Sequence, residues 1–230
     1  MRARLISYTD IGPEVRHFLF EIPDVARLDF KPGQFLSLSE TIMGKKITRA
    51  YSIASEPRGD NKFELCLNRV KEGKFSPWLF ELQPGGEINV RGPVGLFVPK
   101  APLHDALFIA TGTGIAPFRS MLRSPEVLGS GKQLTLLFGA RYEEGLVYRE
   151  EFIQLGQRFP NFRFIPTITR PEPTWTGRTG WVQSHLDEAL AGRNDVDVYI
   201  CGLKAMVDEV REILTQKGFE KQQIVFEKYD

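Results

Sequence analysis

A glycine-rich stretch, IATGTGIAPFRS at residues 109–120, has the composition of a turn that binds phosphate. Gly112 and Gly114 fall where a predicted apolar strand gives way to a predicted helix, and a residue without a Cβ lets a ligand approach the backbone. Pro117 suits the first turn of that helix, whose N-terminus offers unpaired N–H groups and a partial positive charge to a diphosphate. Because the spacing is G-x-G without the third glycine of the dinucleotide fingerprint, a tight turn without a ligand stays open as the alternative.

A second stretch, RAYSIAS at residues 49–55, combines a cation, an aromatic ring and hydroxyls on one predicted strand. Isoleucine, tyrosine and alternating small residues favour a β-strand. By itself the pattern fits two interpretations: a strand with an exposed Arg49 and a core Tyr51, or a strand whose Arg49, Tyr51 and Ser52 hold a ligand. The choice between them depends on the surrounding elements.

The composition limits the chemistry that the chain can carry by itself. The two cysteines, Cys66 and Cys201, are too few for a zinc site or an iron–sulfur cluster, so redox chemistry would need an organic cofactor or an external partner. A net charge of +1 gives no global field for nucleic acid or an acidic membrane surface. The N-terminus MRARLISYTD has no apolar targeting segment. We expect a cytoplasmic protein without a membrane span and without a nucleic-acid partner.

The two halves of the chain differ in their predicted elements. Over residues 1–99, six short strands separated by Pro- and Gly-rich turns predict a six-stranded antiparallel β-barrel. One short helix, SPWLFEL, interrupts them, with Ser76 as its N-cap and Pro77 at its first position. Over residues 100–230, continuous apolar strands alternate with helices, one of them over residues 181–190. This alternation predicts a second, α/β domain with a parallel sheet that helices cover on both faces.

Several short motifs accompany these elements. In chain order they are RAYS at 49–52, GKFS at 73–76, GPVGLF at 92–97, ATGTGIAP at 110–117, CG at 201–202 and an aromatic residue near the C-terminus. With these motifs the chain resembles the ferredoxin–NADP(+) reductase family and looks like a bacterial-type member. The resemblance implies that the barrel domain, 1–99, binds FAD and that the α/β domain, 100–230, binds NADP(H).

The resemblance gives the RAYS strand a role in holding the flavin. Arg49 would pair with the FAD pyrophosphate, since a guanidinium fork suits phosphate oxygens. Tyr51 would lie against the isoalloxazine, and Ser52 would direct its hydroxyl toward flavin N5. For the GKFS motif, an ordinary capped helix without a ligand is the alternative. The resemblance adds to the flavin site Ala50, Cys66, Leu67, Asn68, Gly73, Lys74, Phe75 and Ser76.

In the α/β domain the resemblance implies that the glycine turn and a later strand end hold the nicotinamide nucleotide. The turn contributes Thr111, Gly112, Thr113, Gly114 and Pro117. Cys201 and Gly202 would lie beside the nicotinamide ring at the carboxyl end of a strand, where ligands of such sheets bind. No base stands beside Cys201 in the sequence, so we expect this thiol to position the ring and not to act as a nucleophile.

Three arginines are candidates for recognising the 2′-phosphate that distinguishes NADPH from NADH: Arg141, Arg170 and Arg178. Because a phosphate carries roughly two negative charges, a cluster of arginines is the physical means of recognising it. Arg141 and Arg170 each follow an apolar strand, so both are expected at the carboxyl edge of the sheet. Family members that use NADH also keep some of these arginines, so the sequence favours NADPH and leaves NADH open.

The C-terminal stretch IVFEKYD resembles the end of plant-type family members, in which a terminal tyrosine stacks on the flavin and moves to admit nicotinamide. Glu227 and Tyr229 reproduce that spacing, although Asp230 follows the tyrosine here. A frayed terminus is the alternative. The resemblance thus implies four residues at or near the reacting atoms: Ser52, Cys201, Glu227 and Tyr229.

Because two cysteines cannot build a cluster, the resemblance implies an external one-electron carrier, ferredoxin or flavodoxin. Lys45, Lys46, Arg49 and Lys71 are candidates for a basic patch that an acidic carrier would contact, and we expect a monomer. Four alternatives stay open. They are an NAD(P)H-dependent reductase component of an oxygenase, a free-flavin or quinone reductase, a flavin-bearing subunit of a larger electron-transfer complex, and a nucleotide-binding regulatory module without catalysis.

Overall fold

The computed structural model of the protein describes residues 1–229. By its internal contacts the chain divides into two compact units. The first unit contains Met1–Val98 together with Ala116–Ser124, and the second contains Pro99–Ile115 and the chain from Pro125 onward. The short segment 116–124 therefore packs with the first unit, although it follows the change of element pattern near residue 100.

The first unit is built on six antiparallel strands. They are β1 (Arg2–Gly12), β2 (Val15–Glu21), β3 (Phe35–Ile42), β4 (Lys45–Ser52), β5 (Lys62–Asn68) and β6 (Glu87–Val94). Their order in the sheet is β4-β3-β6-β1-β2-β5. An antiparallel bridge between Ile53, just after β4, and Leu65 of β5 joins the two ends of that order. The predicted six-stranded antiparallel barrel is confirmed.

Alternation along β5 separates the barrel core from the outer face of the strand. Phe63, Leu65 and Leu67 belong to the apolar core of the first unit, where Phe63 stacks on Phe20 with ring centroids 5.4 Å apart. Successive side chains of a strand point to opposite faces, so Glu64 and Cys66 lie on the other face. Both of these residues are nevertheless buried.

The short helix of the first unit, α1 (Phe75–Glu81), begins two residues before the predicted first helical residue, Pro77. Lys74 occupies the N-cap position without a capping side-chain hydrogen bond, and Ser76 lies inside the helix. The Ser76 hydroxyl instead accepts a hydrogen bond from the Val70 amide at 2.9 Å. The prediction of Ser76 as N-cap and Pro77 as first helical residue is therefore wrong, because the serine hydroxyl bonds the preceding loop.

The second unit is built on six parallel strands. They are β7 (Ala106–Thr111), β8 (Leu134–Ala140), β9 (Phe162–Ile168), β10 (Arg178–Thr179), β11 (Asp197–Leu203) and β12 (Ile224–Tyr229), in the order β10-β9-β8-β7-β11-β12. The remaining helices of the chain are α2 (Ile115–Arg123), α3 (Pro125–Leu128), α4 (Arg149–Arg158), α5 (Leu186–Leu190) and α6 (Lys204–Gln216). The predicted parallel-sheet α/β architecture is confirmed.

The second unit differs from the prediction at one helix and reverses its strand order at one place. The helix predicted over residues 181–190 is instead a 3₁₀ turn, Val182–His185, followed by the short α5. The strand order reverses between β7 and β11, and such a switch point is where α/β sheets bind ligands at their carboxyl ends. Within residues 1–229, no helix combines the length and the apolar character that crossing a membrane requires.

Candidate functional site

Strand β4 carries Arg49 and Tyr51 on one face, because they are two residues apart. Arg49 is exposed, and its Nη1 donates to the Thr48 carbonyl at 2.8 Å. Burial raises the pKa of Tyr51 to about 12, against the opposing effect of the Arg49 guanidinium. At neutral pH the strand thus presents a neutral phenol beside a cation, with Ser52 buried directly after it.

The ring of Tyr51 contacts the ring of Phe75, the first residue of α1. Their centroids are 6.1 Å apart and their planes are inclined by 27°. Tyr51 comes from the RAYS motif and Phe75 from the GKFS motif, so the fold brings together two predicted flavin elements that are far apart in sequence. Gly73 is tightly placed, since a Cβ there would lie 3.1 Å from the Val70 carbonyl oxygen.

The third predicted flavin element lies on β5, next to the end of β4. The Ile53–Leu65 bridge joins the residue after Ser52 to this strand. Cys66 and Leu67 are buried, whereas Asn68 is exposed at the end of the strand. The structure therefore brings the predicted flavin residues of β4, β5 and α1 into one region of the first unit.

In the second unit the two predicted glycines serve different purposes. Gly112 has φ +54°, and a Cβ placed on it would meet no atom within 4 Å. A Cβ on Gly114 would lie 2.4 Å from the Cys201 carbonyl oxygen, so this glycine allows the turn to pack against the end of β11. The turn therefore leaves open space above Gly112 and has none beside Gly114.

The neighbouring Thr111 and Gly202 are also in tight contact. A Cβ on Gly202 would lie 2.3 Å from Thr111 Oγ1, and this hydroxyl is buried without a hydrogen-bond partner among residues 1–229. Thr113 is half-buried, and Pro117 is the buried third residue of α2. β7 and β11 pair in register with Ala110 opposite Cys201, which brings the glycine turn and the CG motif together at the switch point.

Cys201, Glu227 and Tyr229 lie together at the carboxyl ends of β11 and β12. Cys201 pairs in register with Glu227, and the Tyr229 hydroxyl hydrogen-bonds the Cys201 thiol. Burial raises the pKa of the Cys201 thiol well above its usual value, and the Glu227 carboxylate raises it further. The thiol therefore stays protonated at neutral pH. Tyr229 is the last residue of β12, and Asp230 lies outside the described residues.

The structure brings two of the three predicted phosphate-binding arginines together. Arg141 follows β8 and Arg170 follows β9, and the Arg170 amide donates to the Arg141 carbonyl at 2.8 Å. Both residues are exposed at the carboxyl edge of the sheet, as expected. Arg170 Nη1 also lies 3.3 Å from the hydroxyl of Tyr142, a residue that the sequence did not single out.

Arg178, the third of these arginines, is held by a carboxylate. Its Nε donates to Glu188 Oε2 at 2.7 Å, and its Nη2 bonds Glu188 Oε1. Arg163 of β9 binds the same carboxylate at 2.7 Å. No local pattern could have indicated Glu188, because it lies ten residues after Arg178 on a separate element.

The basic residues proposed for carrier docking lie on the surface of the first unit. Lys45 and Lys46 begin β4 and are exposed, as is Arg49 on the same strand. Lys71 follows β5, and its ammonium lies 3.9 Å from the Glu14 carboxylate.

Comparison with known proteins gives matches over both units. An oxidoreductase FAD-binding domain family matches residues 2–98, and an oxidoreductase NAD-binding domain family matches residues 108–212. Over 99% of its length the chain is 40% identical to ferredoxin–NADP reductase B of Sorangium cellulosum, of which it covers 97%. The chain belongs to the ferredoxin–NADP(+) reductase family. As a member of this family it is an FAD-dependent oxidoreductase with a domain for NAD(P)(H).

Similarity extends to a phenol hydroxylase protein and to a solved ferredoxin NADP+ reductase. The reductase is 31% identical over 99% of its length to the phenol hydroxylase P5 protein of Acinetobacter pittii, but spans 65% of that protein. Its fold matches that of a ferredoxin NADP+ reductase from Neisseria gonorrhoeae, solved with bound FAD and NADP. The TM-score is 0.86 at 24% identity, over 99% of this chain and 98% of that one.

The residues present in the reductase fit both cofactors. In the second unit, the open space above Gly112 and the orphaned Thr111 hydroxyl leave room and a polar contact for a nucleotide. In the first unit, Arg49 has no carboxylate partner within residues 1–229, and the Tyr51 ring lies close by. A guanidinium and an aromatic ring match the pyrophosphate and the flat ring system of FAD.

Proposed function

We propose that this reductase is a ferredoxin–NADP(+) reductase, which exchanges electrons between NADPH and ferredoxin or flavodoxin. The observation that carries the proposal is the Tyr51–Phe75 contact, since it joins two motifs that the family resemblance assigns to FAD. FAD supplies the conversion between the two-electron chemistry of a nicotinamide and the one-electron chemistry of a carrier. The chain itself would bind and orient FAD and the nicotinamide nucleotide and shield them from water.

In the first unit Arg49 would hold the pyrophosphate, and Tyr51 would cover the isoalloxazine. Ser52 would offer its hydroxyl to flavin N5. A phenol whose pKa is about 12 stays neutral, so the Tyr51 ring adds no charge beside the flavin. The flavin roles of Ala50, the Cys66–Asn68 strand and the Gly73–Ser76 motif stay predictions, supported by the closeness of these elements to Tyr51.

In the second unit the glycine turn would hold the nucleotide diphosphate, and Cys201 would set the position of the nicotinamide ring as a neutral thiol. Arg141 and Arg170 would receive the 2′-phosphate, since both guanidinium groups are exposed at the carboxyl edge of neighbouring strands. The stacking role of Tyr229 and the role of Glu227 near the reacting atoms stay predictions.

A second candidate function is an NADH-dependent reductase component of an oxygenase. One structural observation favours it: Glu188 holds Arg178, which leaves two of the three predicted arginines for the 2′-phosphate. The similarity to the phenol hydroxylase P5 protein points the same way. The choice between the candidates rests on the preferred nucleotide and the carrier.

The decisive experiment records the visible spectrum of the purified protein and then mixes it anaerobically with NADPH or NADH. We expect a bound flavin that NADPH bleaches faster than NADH at equal concentration. Adding ferredoxin, flavodoxin, free FAD or a quinone under steady turnover then identifies the acceptor. A colourless protein that takes up no FAD, or a flavin that prefers NADH and passes electrons only to an oxygenase, would overturn the proposal.

Docking of an acidic carrier on Lys45, Lys46, Arg49 and Lys71 is part of the same proposal. Electrostatic docking weakens as salt screens the charges. The rate of carrier reduction should therefore fall with ionic strength while reduction of a small neutral acceptor stays constant. A cytoplasmic location and a monomeric state stay predictions.

A further inference from the structure

Six ionisable side chains of the first unit form one network around Glu64 of β5. We call it the Glu64 cluster; its members are His17, Glu56, Arg58, Glu64, Arg119 and Arg123. At its centre Arg119 Nη1 donates to Glu64 Oε2 at 2.6 Å, and only 6% of Arg119 is exposed. Arg58 also binds Glu64, and His17 Nε2 lies 3.7 Å from it.

The two carboxyl groups of the Glu64 cluster, Glu64 and Glu56, are ionised at neutral pH. Burial alone would raise the pKa of the Glu64 carboxyl, but Arg119, Arg58 and His17 together hold it below its usual value. Arg123 and Arg58 do the same for Glu56. A buried ion pair is a weak device for stability, since an apolar pair of similar volume is often neutral or stabilising in its place. We therefore ask which parts of the backbone the Glu64 cluster holds in place.

The backbone that Arg119 holds lies directly after the RAYS motif. The same Nη1 atom that binds Glu64 donates to the Ala54 carbonyl at 2.9 Å. The next residue of α2, Ser120, donates its hydroxyl to the Ser55 carbonyl at 2.6 Å. Two consecutive residues of α2 thus bind two consecutive carbonyls, which begin two residues after Ser52.

The rest of this short segment is fixed by the barrel. The Ile53 amide donates to the Gln34 carbonyl at 2.9 Å, and the Ala54 amide donates to the Glu64 carbonyl at 2.8 Å. The Glu64 amide in turn donates to Ser55 Oγ at 3.1 Å. The segment after Ser52 therefore has β5 on one side and α2 on the other, and Arg119 connects the two through Glu64 and Ala54.

We propose that Arg119 is a positioning residue for Ser52: by binding Glu64 and the Ala54 carbonyl together, it sets where the Ser52 hydroxyl lies relative to the flavin. The proposal rests on the proposed function, which gives Ser52 its contact with flavin N5. Removing the guanidinium leaves the Ala54 carbonyl and the buried Glu64 carboxylate without this partner. The backbone after Ser52 then relaxes, and small displacements of a reacting group are costly in rate.

The test compares Arg119→Met with the double variant E64M/R119M, which removes the pair without leaving a buried unpaired carboxylate. Arg123→Met is the matched control, because Arg123 is one helical turn further on and binds the Glu56 side chain at 2.6 Å. The measurements are FAD content, the affinity for NADPH, and the rate constant of anaerobic flavin reduction at saturating NADPH.

We expect both Arg119 variants to bind FAD and NADPH as the wild type does but to be reduced about tenfold more slowly, within the range that misplaced reacting groups produce. Arg119→Lys keeps a cation and a donor and should recover most of the rate. Arg123→Met should stay within twofold of the wild type. An FAD-loaded double variant that is reduced at the wild-type rate would overturn the proposal.

A second readout needs no cofactor. Hydrogen exchange of the apoprotein should show faster exchange of the Ile53 and Ala54 amides in Arg119→Met, with the amides of β1 and β6 unchanged. Unchanged exchange at Ile53 and Ala54 would equally overturn the proposal. If instead neither nicotinamide nucleotide reduces the wild type, the proposed function fails, and the exchange measurement still decides whether Arg119 fixes this backbone.

Discussion

Replacing the two glycines of the nucleotide turn one at a time tests whether they act as the geometry indicates. In Gly114→Ala the new Cβ would lie 2.4 Å from the Cys201 carbonyl oxygen, about 1 Å inside ordinary van der Waals contact. The obstructing atoms are backbone atoms of β11, so the turn itself must move. In Gly112→Ala the new Cβ meets no atom within 4 Å, but the residue must keep φ near +54°.

These contacts predict different losses of stability and of nucleotide affinity for the two variants. Forcing a methyl group into a packed site costs about 1–3 kcal/mol, so we expect Gly114→Ala to lose about 2 kcal/mol. For a chain of this size that lowers Tm by about 4–8 °C. The left-handed conformation costs alanine about 1 kcal/mol, so Gly112→Ala should lower Tm by about 2–4 °C. Its methyl group occupies the space proposed for the diphosphate, so the Kd for NADP+ should rise about tenfold or more, which corresponds to about 1.4 kcal/mol.

The assay is thermal unfolding together with calorimetric titration of NADP+. Gly44→Ala is the matched control, because Gly44 has φ +73° and open space but lies in the β3–β4 hairpin. It should lose as much stability as Gly112→Ala and bind NADP+ normally. Wild-type affinity in Gly112→Ala would refute the placement of the diphosphate, and wild-type stability in Gly114→Ala would refute the backbone contact.

Three further outcomes are expected. Glu188→Gln should release Arg178 and raise the NADPH-to-NADH ratio of kcat/KM up to about fivefold, as befits an exposed pair worth at most about 1 kcal/mol; an unchanged ratio would mean that Arg178 does not reach the phosphate. Glu64 has a folded-state pKa below 4.5, so its stabilising contribution is present above that pH and is lost as the pH falls through the folded value. In urea unfolding, the stability difference between wild type and Glu64→Gln should thus shrink as the pH falls below 4.5, whereas a constant difference in that acid range would contradict the ion pairing. Lys45→Glu with Lys46→Glu should flatten the salt dependence of ferredoxin reduction and leave the rate with a neutral acceptor unchanged; a salt dependence like that of the wild type would exclude this patch.

Local patterns were sufficient for the longer strands and for the glycine turn, but they did not indicate the two-residue strand β10. Strand alternation and apolar runs depend on neighbours in sequence, and a strand–glycine–helix sequence places its turn at the carboxyl edge of a parallel sheet. The placement of Arg141 and Arg170 at that edge followed from the same reasoning. The local pattern gave the wrong N-cap for α1. The Ser76 hydroxyl accepts its hydrogen bond from the Val70 amide, six residues earlier, and does not cap the helix.

Contacts between segments that are distant in the chain could not be predicted from the sequence. The Arg119–Glu64 pair joins residues 55 positions apart, and nothing in either neighbourhood marks the partner. The family resemblance named the flavin and nucleotide residues but did not indicate that Glu188 binds Arg178, or that α2 holds the segment after Ser52. Such pairings depend on how elements pack, which a single sequence does not specify.

Helix α2 has a consequence for how reductases of this kind can recombine. The family match for NAD binding, 108–212, includes the helix, yet residues 116–124 make their contacts as part of the barrel unit. A gene fusion at residue 99 would join the barrel of one parent to the nucleotide-binding half of another. Glu64 would then come from one parent and Arg119, which binds it, from the other. Viable chimaeras should therefore take residues 116–124 from the parent that supplies the barrel, so that Glu64 and Arg119 have the same origin.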